Sequence, residues 1–562
     1  MRRRNWVSII LFVLLGASNV KTQVTITVDA QQSRGKYKQF WGGLGQESFY
    51  DGVLSAQCRN YFNLIKATNS HGREVFNYFS TKCMFTDKIT PYYEEIGGYV
   101  YIEDQNGNVT YNWEIVDSHF DAILGYGLIP IVNFTFMPEK LASDPSRRVP
   151  WSQSNVSPPK DYNKWRNLVY ETVKHLKNRY GAAEIEKWFF EVWNEPDLDE
   201  FFWIPNPDQS RYPDRSDNIE FFKLYDYSVD GAIAAHPNIK IGGPSIAGDV
   251  ELFILHWYPH CKSGTNYATG KVGTRVDFAS RHHYGTAEWI YENLQKFGEY
   301  ATTNGKPLLG DDPIILITEN GPTPALNDWL NSRYVAAWLV NEVDMIFNVA
   351  DNYGYNYIPD VILFWSLPLP RNFGKHFGVA TVMGDNVIIK RPVYNGFDAL
   401  GYLSDERIAL TGAKYGDAVH GIATKNEDQS IEVILYHFNG DDVWNEQTGQ
   451  STVNLSIKNI PFHKGYVQYF KIDETHSNAY SIWQSMGSPD DPTSNQLQAL
   501  QSQDDLQLCE PMSQVSISGG TLTKQITLQN NSVVLVVVSA QNPLTNDTTP
   551  PNPPTGLKVT KP

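Results

Sequence analysis

Two glutamates close apolar runs in this chain: Glu195 in KWFFEVWNEPD, after Trp188 to Trp193, and Glu319 in PIILITENGP, after Ile314 to Thr318. A carboxyl group at a strand end is held by rigid backbone yet can face a cleft, which is where an acid or base must stand. Two of them on one face can flank a bond, one protonated to assist a departing oxygen and one ionised to attack or to direct water. That is the chemistry of glycoside cleavage. A single strand-end glutamate reads as a solvated loop carboxylate. The pair, with the first inside Trp-Asn-Glu-Pro, shifts the balance to chemistry.

Residues so far apart in sequence meet only if the fold brings their strand ends to one face, as a parallel barrel does. From Phe40 to Ser366 short apolar runs alternate with helix-period stretches, the pattern of repeated β/α units. The strands expected are Phe40 to Gly45, Leu128 to Phe136, Trp188 to Trp193, Ile239 to Gly242, Arg275 to Ser280, Ile314 to Thr318 and Val361 to Trp365. An eighth belongs between Phe76 and Thr86, with Cys83 to Phe85 as its core. Counting it, Glu195 ends strand four and Glu319 strand seven. Trp165, Leu168, Val169, Val173 and Leu176 share one face of a helix opened by Asp161 and closed near Gly181, and Val335, Leu339, Val343 and Ile346 repeat the pattern. The fold class is therefore α/β, a (β/α)8 barrel over 38–400. Alternating strands after Lys390 predict a β-sandwich over 401–541, joined by an N-terminal strand within 23–37.

The chain has 562 residues, 41% hydrophobic and 13% aromatic, more than one domain needs and enough to bury cores. Its net charge of −16 opposes broad attraction to nucleic-acid phosphates or anionic lipid. Arg2 to Arg4 followed by the apolar run Trp6 to Leu15 read as a secretory signal over 1–22, too short to span a bilayer. Sequons at Asn108, Asn133, Asn155, Asn454, Asn530 and Asn546 suit a secretory route, lysosomal or extracellular, although Asn133 sits in an apolar run. The four cysteines Cys58, Cys83, Cys261 and Cys509 allow up to two bridges or free buried thiols. The stretch 542–562 is a Pro-rich linker whose ending PPTGLKV resembles the start of a fibronectin type III module.

The sequence resembles glycoside hydrolase family 39, which holds β-xylosidases and α-L-iduronidases. The likeness rests on Trp-Asn-Glu-Pro and the strand-seven glutamate together with FMPEKLAS, PPKDYNKW, GGPSIAG, VDFASRHHYG, and HFGVATV followed by KRPVYNGF. It implies a retaining mechanism with Glu195 as general acid/base and Glu319 as nucleophile. It further implies that Asn194 holds the sugar 2-hydroxyl and that His282 and Tyr284 stand beside the nucleophile. Trp365, ending strand eight, is a candidate floor for the sugar, with core packing the alternative. Glu195 needs apolar surroundings or a neighbouring carboxylate to stay protonated, and Glu319 needs hydrogen-bond donors to stay ionised.

Iduronide differs from xylose by a C5 carboxylate, which demands a cation. Iduronidases resembling this chain carry a lysine at the position of Tyr284 and a histidine at that of Ile115, so those two positions favour the xylosidase pattern. Asp197 directly after the motif, the segment CKSGTNYATGKVGTRVDF and the fibronectin-like ending favour iduronidase, with Arg371 and Lys375 as replacement cations or, alternatively, loop surface charges. The reading leans to release of terminal α-L-iduronic acid from glycosaminoglycans, with β-xylosidase next and a turnover-deficient carbohydrate-binding protein third. The partner is an oligosaccharide or glycosaminoglycan. No cofactor, metal, nucleic acid or membrane anchor is expected: His282 and His283 are adjacent and so face opposite sides of a strand.

Overall fold

The computed structural model describes residues 22–47, 56–68, 75–87, 99–150, 152–203, 219–248, 250–303, 313–354, 357–365, 372–384, 387–440 and 449–543. The expected secretory signal, Arg371 and the fibronectin-like ending lie outside them.

Eight parallel strands close a barrel: Gly43–Gln46, Tyr78–Thr81, Ile129–Phe134, Phe189–Val192, Lys240–Ile246, Phe278–Tyr284, Ile314–Gly321 and Val361–Trp365, numbered here one to eight. Closure joins Leu363 of strand eight to Gly43 of strand one. Side chains alternate across each strand, so one set fills the interior and the other packs on the helices. The interior floor is a dry layer of Ile131, Phe189, Phe278, Leu316, Val361 and Leu363. Space there is short enough to require glycine: a Cβ on Gly43 would stand 2.4 Å from the Leu363 side chain.

Strand two corrects the sequence reading. It spans Tyr78–Thr81 rather than centring on Cys83 to Phe85. Cys83 takes a left-handed φ of 69° and leaves the strand, and Phe85 packs beyond it, stacked on Phe134 and edge-on to Trp165. Those apolar residues mark burial under a helix, not a ladder. Strands five and six also run further toward the mouth than Ile239 to Gly242 and Arg275 to Ser280.

The helix Tyr162–Tyr180 begins at Asp161, whose carboxylate accepts from the Asn163 and Lys164 amides, and ends at Gly181 with φ 89°. Trp165, Leu168, Val169, Val173 and Leu176 are its buried face. Helix Arg333–Tyr353 is buried almost all round, because its second face carries the other domain. There Asn341 and Asp344 accept hydrogen bonds from Tyr436, and Asp344 pairs with His420.

That domain is a nine-stranded sheet that folds over on itself around Ile26, Val28, Val433, Leu435, Leu455, Ile457, Val534 and Val536, giving a β-sandwich. The N-terminal strand Thr22–Lys36 lies within it, antiparallel to Glu406–Thr411 and parallel to Gln450–Lys458. Among the described residues no helix is long and apolar enough to cross a membrane. Cys83, Cys261 and Cys509 are free. Of the sequon asparagines, Asn133, Asn155 and Asn530 are buried.

Candidate active site

Strict alternation along ILITE would aim Leu316 and Thr318 into the barrel and turn Glu319 outward. The ladder between strands six and seven instead slips by one residue, Ile317 opposing Arg281 and Glu319 opposing His282. Strand five slips at the same level, with Pro244 opposite Ser280 and Ile246 opposite Arg281, and the extra residue Ser245 has φ 56°. These bulges give His282 polar neighbours on both sides. Its Nε2 lies 3.0 Å from Ser245 Oγ, while Thr318 and Glu319 both face inward from strand seven.

Glu195 is set by a different device. After strand four Trp193 and Glu195 take φ of 70° and 45°, a conformation costly for side chains larger than glycine. The turn is held by the Glu195 amide donating to the Ser245 carbonyl at 2.9 Å and by the Trp193 indole donating to the Phe201 carbonyl at 2.8 Å. Asp197 ties it to the loop after strand five by accepting from the Ala247 and Gly248 amides at 3.0 and 2.6 Å.

The carboxyl groups converge on His282. Its Nδ1 is 2.7 Å from Glu195 Oε1 and 3.5 Å from Glu319 Oε2, and the ligand atoms of the three residues lie within 4.8 Å of one another. Tyr284 donates its hydroxyl to Glu319 Oε2 at 2.9 Å. Burial lifts Glu195 to about 8, and the Asp197 charge pushes the same way. Glu319 is raised to about 7 by burial, against the pull of His282. Desolvation drives His282 down to about 4, so its ring is neutral near pH 7. The two carboxyl groups are thus ordered by environment, Glu195 holding its proton longer than Glu319.

Beneath the pair lies a layer that sequence reasoning missed. Lys82, just past strand two and 1% exposed, stands 3.1 Å from Glu191 Oε2 and 3.9 Å from Glu319 Oε1. Glu191, fully buried inside strand four, also accepts from Asn133 and Thr318, each at 2.7 Å. Burial raises its carboxyl, but Lys82 and the hydrogen bonds win and hold it below the usual range. The signal was present in FFEV: a glutamate in mid-strand within an apolar run has no solvated reading.

Asn194 is buried beside Glu195, its Oδ1 without a hydrogen-bond partner among the described residues. Trp365 is buried at the end of strand eight, where a Cβ on Gly45 would stand 2.9 Å from its indole. Lys375 is exposed on the loop after strand eight. Ile115 is in the hydrophobic core on helix Glu114–Gly125. His283 turns away from the mouth, 3.6 Å from Glu342 on helix Arg333–Tyr353. Glu195, His282 and Glu319 are also spaced as a divalent cation would need. Two carboxyl groups paired through a neutral imidazole are equally the donor set of acid/base work.

The sequence model described as glycosyl hydrolases family 39 matches residues 24–520. A β-xylosidase of Caldicellulosiruptor saccharolyticus is 30% identical over 455 residues, 78% of this chain and 86% of that protein. An α-L-iduronidase of Mus musculus is 25% identical over 431 residues, 70% of this chain and 63% of that protein. Among solved structures, a monomeric β-xylosidase from Caulobacter crescentus CB15 superposes with a TM-score of 0.73 at 22% identity, covering 92% of this chain and all, 100%, of the other. A bacterial orthologue of human α-L-iduronidase gives 0.72 at 19% identity, covering 93% and 84%. These structures share the barrel with its sandwich. Matched along most of its length by the family's pattern, the chain belongs to glycosyl hydrolase family 39 and is a glycosidase.

Proposed function

We propose that the protein is a retaining exo-glycosidase with Glu195 as acid/base and Glu319 as nucleophile, and that a terminal β-D-xyloside is the substrate its pocket fits best. The observation that carries the mechanism is the short gap between the two carboxyl groups, their nearest oxygens within 4.8 Å. Retaining enzymes hold these groups about 5–5.5 Å apart, whereas inverting ones leave room for water between them. Glu195 gives its proton to the glycosidic oxygen as Glu319 attacks C1 and the C–O bond to the leaving group breaks. Glu195, now a carboxylate, takes a proton from water, the hydroxide adds to C1, and the ester to Glu319 breaks. Tyr284 and Lys82 stabilise the Glu319 carboxylate when it departs.

For substrate, the position beside the nucleophile holds a phenol, Tyr284, rather than a cation. Among the described residues the ammonium beside the two carboxyl groups, that of Lys82, is engaged by Glu191. A C5 carboxylate would be left to residues outside that set, whereas xylose needs no cation. Higher identity and wider coverage for the β-xylosidase relative point the same way. The α-L-iduronide reading favoured by the sequence is kept as second, because Asp197 follows Trp-Asn-Glu-Pro and bridges to the loop after strand five. Delivery through the secretory pathway, to lysosome or exterior, remains part of the proposal.

Aryl β-D-xyloside and aryl α-L-iduronide, each followed by NMR of the first anomer released, test this. Turnover of the xyloside with retained configuration, abolished in Glu319→Ala, is the expected result. Faster turnover of the iduronide overturns the substrate, release of the inverted anomer overturns the mechanism, and tight binding without turnover of either sugar makes the protein a binder.

A further inference from the structure

Arg391, outside the catalytic pocket, carries a charge that no ion pair among the described residues balances. Its side chain is wholly buried, at 0% exposure. One nitrogen, Nη1, donates to the His376 carbonyl at 2.8 Å and, at 3.5 Å, to that of Gly378. The other two, Nε and Nη2, have no hydrogen-bond partner. Among the described residues no carboxylate comes within ion-pair distance. The ionisable groups whose charge it feels are the phenols of Tyr480 and Tyr61, and the third neighbour, the His376 imidazole, is itself pushed down by burial and by Arg391. Arg391 also caps helix Pro392–Leu400, so the positive end of that helix adds to its own charge.

Physical chemistry allows few resolutions. Guanidinium does not give up its proton in proteins, and a buried charge left unpaired costs more than packing returns. Water would satisfy the N–H groups of the two unpartnered nitrogens but leave the charge. An anion satisfies both. The neighbouring side chains offer no carboxylate to compete with one: Tyr480 lies edge-on to Phe373 in a compact apolar cluster, and Tyr61 comes from helix Ala56–Thr68. We propose that Arg391 forms an internal site for one small monovalent anion of the halide class, enclosed by the loop after barrel strand eight, helix Ala56–Thr68 and helix Ala479–Ser485.

The site braces that loop, because Arg391 binds it at three carbonyls, those of His376, Gly378 and, through the backbone amide, Val379. Phe377 in the same loop lies 6.2 Å, ring to ring, from Tyr284.

The test is thermal unfolding of the full chain in sodium chloride against sodium methanesulfonate at matched ionic strength, the latter anion too bulky to be enclosed. Chloride is expected to raise Tm by about 1–2 °C at roughly tenfold excess over its dissociation constant and to go on raising it with the logarithm of its concentration. The dependence should vanish in Arg391→Met. Identical curves in the two salts, or an unchanged chloride effect in Arg391→Met, overturn the proposal. Should that variant fail to fold, bromide-soaked crystals of the unaltered protein decide. An anomalous peak at hydrogen-bond distance from Nε or Nη2 supports the site, and a water there with no anomalous signal refutes it.

Discussion

Tyr284 places its hydroxyl 2.9 Å from Glu319 Oε2, across the ladder between strands six and seven. That bond favours the ionised carboxylate. Replacing Tyr284 by Phe removes it and lets the Glu319 pKa rise further, so the acidic limb of the kcat/KM profile should move to higher pH by about 1–2 units, the worth of one hydrogen bond to a charged group. An unmoved limb would mean that Tyr284 only packs.

Both limbs of the unaltered profile should lie above the ordinary carboxylate range. Glu319 must be ionised and Glu195 protonated, so activity rises as pH passes about 7 and falls as it passes about 8, with the two apparent values belonging to the pair. Because Asp197 raises Glu195, Asp197→Asn should draw the basic limb downward, by about one unit. A basic limb that stays in place contradicts the Asp197 contribution.

Removing the acid/base should leave a trappable intermediate. In Glu195→Ala an aryl glycoside with a good leaving group still forms the ester on Glu319 but loses its base, so hydrolysis should fall by about 100-fold or more. Azide, which needs no deprotonation, should restore turnover and yield a glycosyl azide of retained configuration. An azide of inverted configuration would exchange the two assignments.

Lys82 and Glu191 form a buried pair, each about as dry as the core. Lys82→Met leaves Glu191 uncompensated and should cost about 3–5 kcal/mol in denaturant unfolding. Adding Glu191→Gln should recover much of that stability while activity stays low, because the charge beside Glu319 is still missing. Additive losses in the double variant would show that the two residues do not act as a pair.

The contact between barrel and sandwich is set to weaken in base. Burial lowers the His420 pKa, but Asp344 outweighs it and the net shift is upward. A raised folded value means that the stabilisation is fully present below the unfolded histidine pKa, about 6.5, and is lost as pH climbs through the folded one. The Tm difference between the unaltered chain and His420→Gln should therefore be largest in acid and shrink in base, and a difference independent of pH would sever the link.

How far the sequence could be read depended on what each residue type leaves open. Glu195 and Glu319 were legible only as a pair, since one carboxylate ending an apolar run reads as a solvated loop group whereas two, the first inside Trp-Asn-Glu-Pro, do not. Lys82 was not, since a lysine flanking an apolar run reads as solvated, and only the barrel's closure brings Glu191 against it. Strand two was misplaced for a related reason: its own YFST is half polar, with Ser80 and Thr81 turned toward partners. The neighbouring Met84 and Phe85 are apolar because a loop is buried there. Asp197 was noticed but not given its place, because two amides of a distant loop supply its partners.

The extra residues at Ser245 and within Ile317–Glu319 make the catalytic mouth depend on a count rather than on a spelling. Substitutions along strand seven change what a side chain offers and leave its direction alone. Loss of the extra residue, Thr318, would restore a regular ladder and leave Glu319 opposite His282, but it would remove the hydroxyl that Glu191 accepts from, because a regular strand cannot turn two consecutive side chains inward. Among descendants of this chain a shortened strand seven should accordingly keep the aim of Glu319 and lose a partner of Glu191, a pattern that a deletion scan would expose more sharply than any alanine series.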